Sequence, residues 1–271
     1  MNVGLKTARY LYIGLITLFL SSCDKDGSFN VFSIEDDKKL GQQVSAEIAN
    51  SHAQYPLLPE TGRNGQNERA YSHLRRITNN VLNSGKVQYR NEFVWQTKIV
   101  VNDSVQNAFC TPGGYIYVYT GLIKYLDTED QLAGVLGHEI AHADKRHTTD
   151  NLTREYGIQL LLQIALGQAS QGVLVDIARS LNSLRYSRAA EKEADDFSVI
   201  YLCGTNYKAD GAAGFFEKME REGSSAPPEF LSTHPNPGNR IEAIHNKAQE
   251  EGCKLTPAED AQYQSFKSSL P

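Results

Sequence analysis

Cysteine is scarce: four in 271 residues. That is too few for a small disulfide-built scaffold. Basic residues are not in excess either. Twenty-seven Lys and Arg stand against 32 Asp and Glu, for a formal net charge of −5, which excludes generic nucleic-acid binding through a basic surface. Long apolar runs are missing except for one ten-residue stretch near the N-terminus, too short for a comfortable membrane-spanning helix. No internal repeat and no low-complexity tract interrupts the chain. What remains is ordinary: 40% hydrophobic and 22% charged residues, the balance of a globular protein with one large domain or two small ones.

The N-terminal segment reads as an address. Lys6 and Arg9 precede the run Leu11–Leu20, and Ser21-Ser22-Cys23 follows. A basic start, a short apolar core and small residues define a signal peptide over residues 1–22. Leu20-Ser21-Ser22-Cys23 resembles the lipobox of bacterial lipoproteins, in which the Cys becomes residue one and carries diacylglycerol. A plain signal peptide with an incidental Cys is the alternative. Asp24 resembles an inner-membrane retention signal, and the choice between inner and outer membrane stays open. Residues 23–33 read as a polar tether.

The body predicts an α+β architecture, mainly helical with a small sheet. Residues 34–52 and 66–84 have helical spacing. Residues 92–101 are rich in β-branched and aromatic residues and read as a strand, with a second short one at Asn107–Cys110. After the Pro112-Gly113-Gly114 turn, Tyr115, Tyr117 and Tyr119 alternate with Ile116 and Val118, placing the tyrosines on one face of a strand. From residue 121 the pattern is helical apart from a Pro-rich loop at 225–238. The domain runs over residues 34–252, and residues 253–271 read as a short tail.

The chemistry concentrates at residues 128–147. Thr128 with Gln131 is a capping-box start. His138-Glu139-Ile140-Ala141-His142 follows. At 100° per residue the two imidazoles lie one turn apart on one face, where both can hold one tetrahedral zinc. Glu139 is turned aside, within reach of water on that metal. It also falls beside Val135 and Leu136, where a carboxylate without a partner is costly. A third ligand fits on a second helix: Glu191 and Asp195 are i, i+4 neighbours on a face continued by Ser198 and Leu202. Glu191 can bind the metal while Asp195 accepts a proton from the outer nitrogen of a ligand His. Glu193 and Asp196 point to other sides and read as solvated, as do His52, His73, His147 and His245.

These residues resemble the HtpX/BepA/CAAX-prenyl-protease zinc metallopeptidases (peptidase family M forty-eight, gluzincin clan). The resemblance is carried by Asn107-Ala108-Phe109, Pro112–Ile116, Gly121-Leu122, the two-His helix, Ser187-Arg188 before Glu191 and Asp195, and Ser232–Pro235 running on to Arg240-Ile241. It implies one Zn2+ per chain held by His138, His142 and Glu191, with Glu139 as general base and Asp195 behind the ligands. It implies that Gly114, Tyr115, Ile116, Tyr117 and Val118 form an edge strand that pairs with substrate backbone. His234 resembles a loop His that reaches the zinc and holds the enzyme latent; capping the next helix is its other reading. Arg240 either hydrogen-bonds near the site, where it or His234 is an oxyanion donor, or anchors that helix.

The expected activity is zinc-dependent endopeptidase cleavage of unfolded or mis-assembled envelope proteins. A latent, chaperone-like binder using the same groove is the rival. The implied partners are polypeptides, a lipid bilayer through Cys23, and envelope assembly factors, with no nucleic acid. The implied location is the bacterial envelope, facing the periplasm. Two features stay open. Residues 152–184 hold an apolar stretch broken by Gln159, Gln163 and Gln168, which is a lid, a lipid-touching element or two packed helices. Cys203 and Cys253 follow two helices, and an oxidising compartment permits a bond between them. Cys110 reads as a small buried residue.

Overall fold

The computed structural model describes residues 32–181, 183–223, 229–235, 238–257 and 261–271. The segment expected as a signal peptide, Cys23 and nearly all of the expected tether lie outside the described residues. The chain opens with two helices, α1 (Ile34–Asn50) and α2 (Gln66–Leu82), then strands β1 (Gln96–Val100), β2 (Ala108–Thr111) and β3 (Tyr115–Tyr119). Helices follow: α3 (Thr120–Tyr125), α4 (Glu129–Asp144), α5 (His147–Tyr156), α6 (Ile158–Ala165) and α7 (Gln171–Ser180). The last are α8 (Arg188–Cys203), α9 (Gly211–Glu222), α10 (Phe230–Thr233), α11 (Arg240–Glu250) and α12 (Ala261–Ser269). This is the α+β, mainly helical architecture expected. No helix among the described residues is long and apolar enough to cross a membrane.

Helix starts follow local chemistry. Ser33 and Asp36 form a capping box on α1, and Thr128 and Gln131 form one on α4. Each satisfies two orphan backbone donors. Ser187 caps α8 by accepting from the Ala190 N–H.

The sheet corrects one expectation. Its strand order is β1-β3-β2, with β1 parallel and β2 antiparallel to β3. The strand at Tyr115–Tyr119 is therefore central. Its backbone is paired on both sides, so Gly114–Val118 cannot add a substrate strand. The outer edges belong to β2 and to β1, whose end is bridged by Leu57 at Val100. Two pairings make β3 central: the turn, where Gly113 and Gly114 adopt φ of +75° and +89°, values suited to glycine, folds β3 back beside β2, and β1 pairs along its other side. A side chain on Gly114 would meet the Trp95 ring at 3.0 Å.

The alternation of β3 separates two cores. Ile116 and Val118 join the cluster built by α2, α4, α8, α9 and α12. Tyr115, Tyr117 and Tyr119 join a second one with α1, α5, α6 and α7. The segment expected as a tail is also different. α12 packs on α2, with Tyr263 and Phe266 fully buried, and Tyr263 donates to the Ile123 carbonyl at 2.8 Å. Cys203 and Cys253 are bonded to each other, tying the end of α8 to the chain after α11. Cys110 is fully buried.

Candidate metal centre

α4 is buried along its whole length except Gln131. Two glycines let its neighbours come close. A Cβ on Gly134 would sit 2.1 Å from the Ala212 nitrogen on α9, and one on Gly137 would meet Ser198 Oγ of α8 at 2.9 Å. Ser198 Oγ donates to the Gly134 carbonyl at 2.8 Å. This close crossing brings the His pair of α4 to the acidic face of α8.

Four side chains converge there. His138, His142, Glu191 and His234 each offer one ligand atom, all within 4.8 Å of one another, and all four are buried. His138 Nε2 lies 2.9 Å from His142 Nε2 and 3.2 Å from His234 Nδ1. Glu191 lies 3.5 Å from His138, 3.4 Å from His142 and 3.0 Å from His234. Ligands about 2.0–2.2 Å from a tetrahedral ion stand roughly 3.3 Å apart, so the spacing and the N/O chemistry fit zinc. His234 offers a fourth ligand atom to the same point.

Both ligand imidazoles are held from behind. With Nε2 turned to the cluster, His138 Nδ1–H donates to Asp195 Oδ1 at 2.9 Å. Asp195 in turn accepts twice from Arg240, both at 2.7 Å. Arg240 also lies 3.0 Å from Glu191 Oε2 and donates to the His234 carbonyl at 3.2 Å. It thus both lies at the site and anchors the start of α11. Burial would raise the Asp195 pKa, but Arg240 and His138 outweigh it and hold the carboxylate below its ordinary range. Burial likewise opposes ionisation of Glu191, yet His234, His138 and His142 hold it well below.

His142 has a partner that sequence reasoning missed. Its Nδ1 lies 3.0 Å from His147 Nδ1, and His147 Nε2 lies 3.1 Å from Glu193 Oε2. Every role is satisfied when His142 donates to His147 and His147 donates to Glu193. His147 is buried, not solvated, and Glu193 is its surface partner. His245 is likewise paired, with Asp210 and Glu217. Tyr186 is a second missed residue. Its ring stacks on His142 at 3.8 Å, and its hydroxyl shares a hydrogen bond with Thr148 Oγ1 at 3.0 Å.

Glu139 stands apart. It is 0% exposed, neither carboxylate oxygen has a hydrogen bond, and His234 Nε2 is 3.4 Å from Oε1. Burial pushes its pKa up against the pull of His234 and His138. A buried carboxylate with no hydrogen bond costs several kcal/mol on general grounds, an expense the packing alone does not require.

The segment around His234 is sewn in. Phe230 N–H donates to the Gln106 carbonyl just before β2, and Tyr186 N–H donates to the Thr233 carbonyl. The His234 ring is stacked between Phe230 at 4.2 Å and Tyr186 at 5.2 Å.

Comparison with known proteins agrees with this geometry. The model of Peptidase family M48 matches residues 68–248, and the chain belongs to that family. A mitochondrial metalloendopeptidase OMA1 of Arabidopsis thaliana is 34% identical over 154 residues, covering 55% of this chain and 31% of that protein. A putative beta-barrel assembly-enhancing protease of Vibrio cholerae is 32% identical over 176 residues, covering 59% and 36%. The OMA1 metalloendopeptidase of Schizosaccharomyces pombe is 26% identical over 222 residues, covering 80% and 62%. The chain spans about a third of the length of the first two.

Proposed function

We propose that the protein is a zinc-dependent endopeptidase of the bacterial cell envelope that cleaves unfolded or mis-assembled polypeptides and rests in a latent form. The observation that carries the reading is Glu139: a buried carboxylate without a hydrogen bond, beside His138, His142 and Glu191. The family supports a metallopeptidase. The relatives named beta-barrel assembly-enhancing proteases support envelope substrates and assembly factors as partners.

His138, His142 and Glu191 hold the metal in this reading. Zinc bound there supplies a Lewis acid and lowers the pKa of a bound water toward about 7. Glu139, raised by burial, takes a proton from the attacking water and delivers it to the leaving amine. Asp195 and Arg240 keep the His138 ring in one tautomer and orientation. Arg240, 3.0 Å from Glu191, or a displaced His234 donates to the developing oxyanion.

Substrate needs a strand edge, and β2 supplies it in place of β3. Asn107 accepts from Tyr119 and so faces β3; Ala108 and Cys110 face the other way. Phe230–His234 lies along this side through its bond to Gln106. Lifting the segment would break its bond to Gln106 beside the edge and withdraw His234 from the other ligands in one movement; the Ala108 N–H, held by Asn107 Oδ1 at 2.9 Å, would have to turn to the substrate. Cys23 is read as lipidated, which holds the domain at a membrane facing the periplasm.

The fourth ligand atom offered by His234 favours a second reading, a chaperone-like binder that rarely cleaves. Purified wild type, His234→Ala and Glu139→Gln incubated with an unfolded protein, with and without chelator, separate the two. Fragments from wild type or His234→Ala, lost with chelator and absent for Glu139→Gln, support the peptidase. Binding without fragments in all three supports the binder.

A further inference from the structure

Among the described residues, five large hydrophobic side chains stand exposed, and three lie in one nine-residue stretch: Ile158 at 42%, Leu162 at 39% and Leu166 at 65%. Scattered exposed leucines are ordinary; a contiguous group marks a contact surface. At i, i+4 and i+8 these three share one face of α6 and its C-terminal cap. Leu161, Ile164 and Ala165 of the same helix are buried. On the neighbouring helix α7, Val173, Leu174 and Val175 are half-buried. From Tyr156 to Val175 the chain carries no Asp, Glu, Lys or Arg, while glutamines at 159, 163, 168 and 171 supply the polarity.

We propose that the exposed face of α6 rests in the interfacial layer of a lipid bilayer. Two observations select that occupant. α6 has eight residues, about 12 Å of helix; it cannot span a bilayer, but a helix with one apolar face lies in its surface. Second, the described chain starts at Phe32, which is buried in the same cluster as Leu161 and Ile164. The 31 residues before it contain the apolar run Leu11–Leu20 and Cys23. Eight residues lie between Cys23 and Phe32, nine Cα–Cα steps with a reach of at most about 30 Å. α1 runs from that point beneath α6 and α7, which both pack on it: Gln43 donates to the Ile164 carbonyl and Gln171 donates to Glu47. A lipid on Cys23 therefore holds the bilayer within reach of this face. The inference uses the proposed anchor for that reach alone.

The test uses the full chain carrying Leu166→Trp, with the wild type and its single Trp95 as reference. Vesicles of phosphatidylethanolamine and phosphatidylglycerol with brominated acyl chains report depth. The proposal expects a blue-shifted emission, quenching of the introduced tryptophan, and loss of both when Leu162→Glu is added, with thermal stability unchanged. A protein that floats with the vesicles while the introduced tryptophan stays unquenched overturns the face and leaves the anchor standing. Flotation and quenching that survive Cys23→Ser but not Leu162→Glu support the face and overturn the anchor. A blue shift already present without vesicles assigns the face to another segment or copy of the chain and overturns the proposal.

Discussion

The two faces of the three-stranded sheet are put to opposite use. Behind Ile116 and Val118, α4 is buried along nearly its whole length. Gly134 and Gly137 admit their neighbours to backbone contact, and charged groups sit inside because each is paired or poised at the metal centre. Behind the tyrosines, α1, α6 and α7 pack by one side only. Side-chain bonds such as Tyr117 to Ser45 at 2.9 Å and Tyr55 to the Ala178 carbonyl at 2.7 Å fasten that layer, yet Ile158, Leu162 and Leu166 face outward. The difference shows where precision is needed. Ligand atoms about 3 Å apart require helices locked in register, whereas a surface that meets something soft needs only the right chemistry.

The sharpest way to break the comparison is at Glu139. On the proposed function, Glu139→Gln keeps the shape and the capacity to bind metal but lowers peptide cleavage by about 10²- to 10⁴-fold; turnover assayed beside metal content checks both halves. Next comes the support behind His142. His147→Ala weakens zinc binding by about 10- to 100-fold, read by chelator competition, and unchanged affinity would show the His147–Glu193 pair to be incidental. Two glycines then probe the two sides directly. Gly134→Ala drives a methyl into the α9 backbone and costs about 1–3 kcal/mol in denaturant unfolding. Gly172→Ala in α7, where a Cβ meets nothing within 4 Å, stabilises by about 0.5–1 kcal/mol through helix propensity. Equal effects at the two sites would erase the distinction.

Much of the site was legible because it is local. The spacing of His138 and His142, the Thr128 cap and the shared face of Glu191 and Asp195 are properties of single helices, and periodicity reads them. The alternation of β3 correctly assigned its two faces. It could not reveal that β3 is central, because strand order depends on where β1 returns, a long-range pairing with no local signature. His147 was out of reach for another reason. α4 ends at Asp144, and Arg146 turns through a φ of +63° before α5 begins, so helical spacing from His142 does not carry across. Tyr186 reaches the site from a loop 44 positions beyond His142. The packing of α12 was readable: Tyr263, Phe266 and Leu270 at i, i+3 and i+7 make an apolar stripe, short enough to pass for a tail.

The central claim is that one metal ion sits among His138, His142 and Glu191. Anomalous diffraction at the zinc edge from crystals grown with zinc tests it most directly. The account predicts a single peak at bonding distance, about 2.0–2.2 Å, from Nε2 of both histidines and a carboxylate oxygen of Glu191. An empty centre at saturating zinc, or a peak that Glu191 does not approach, would contradict it.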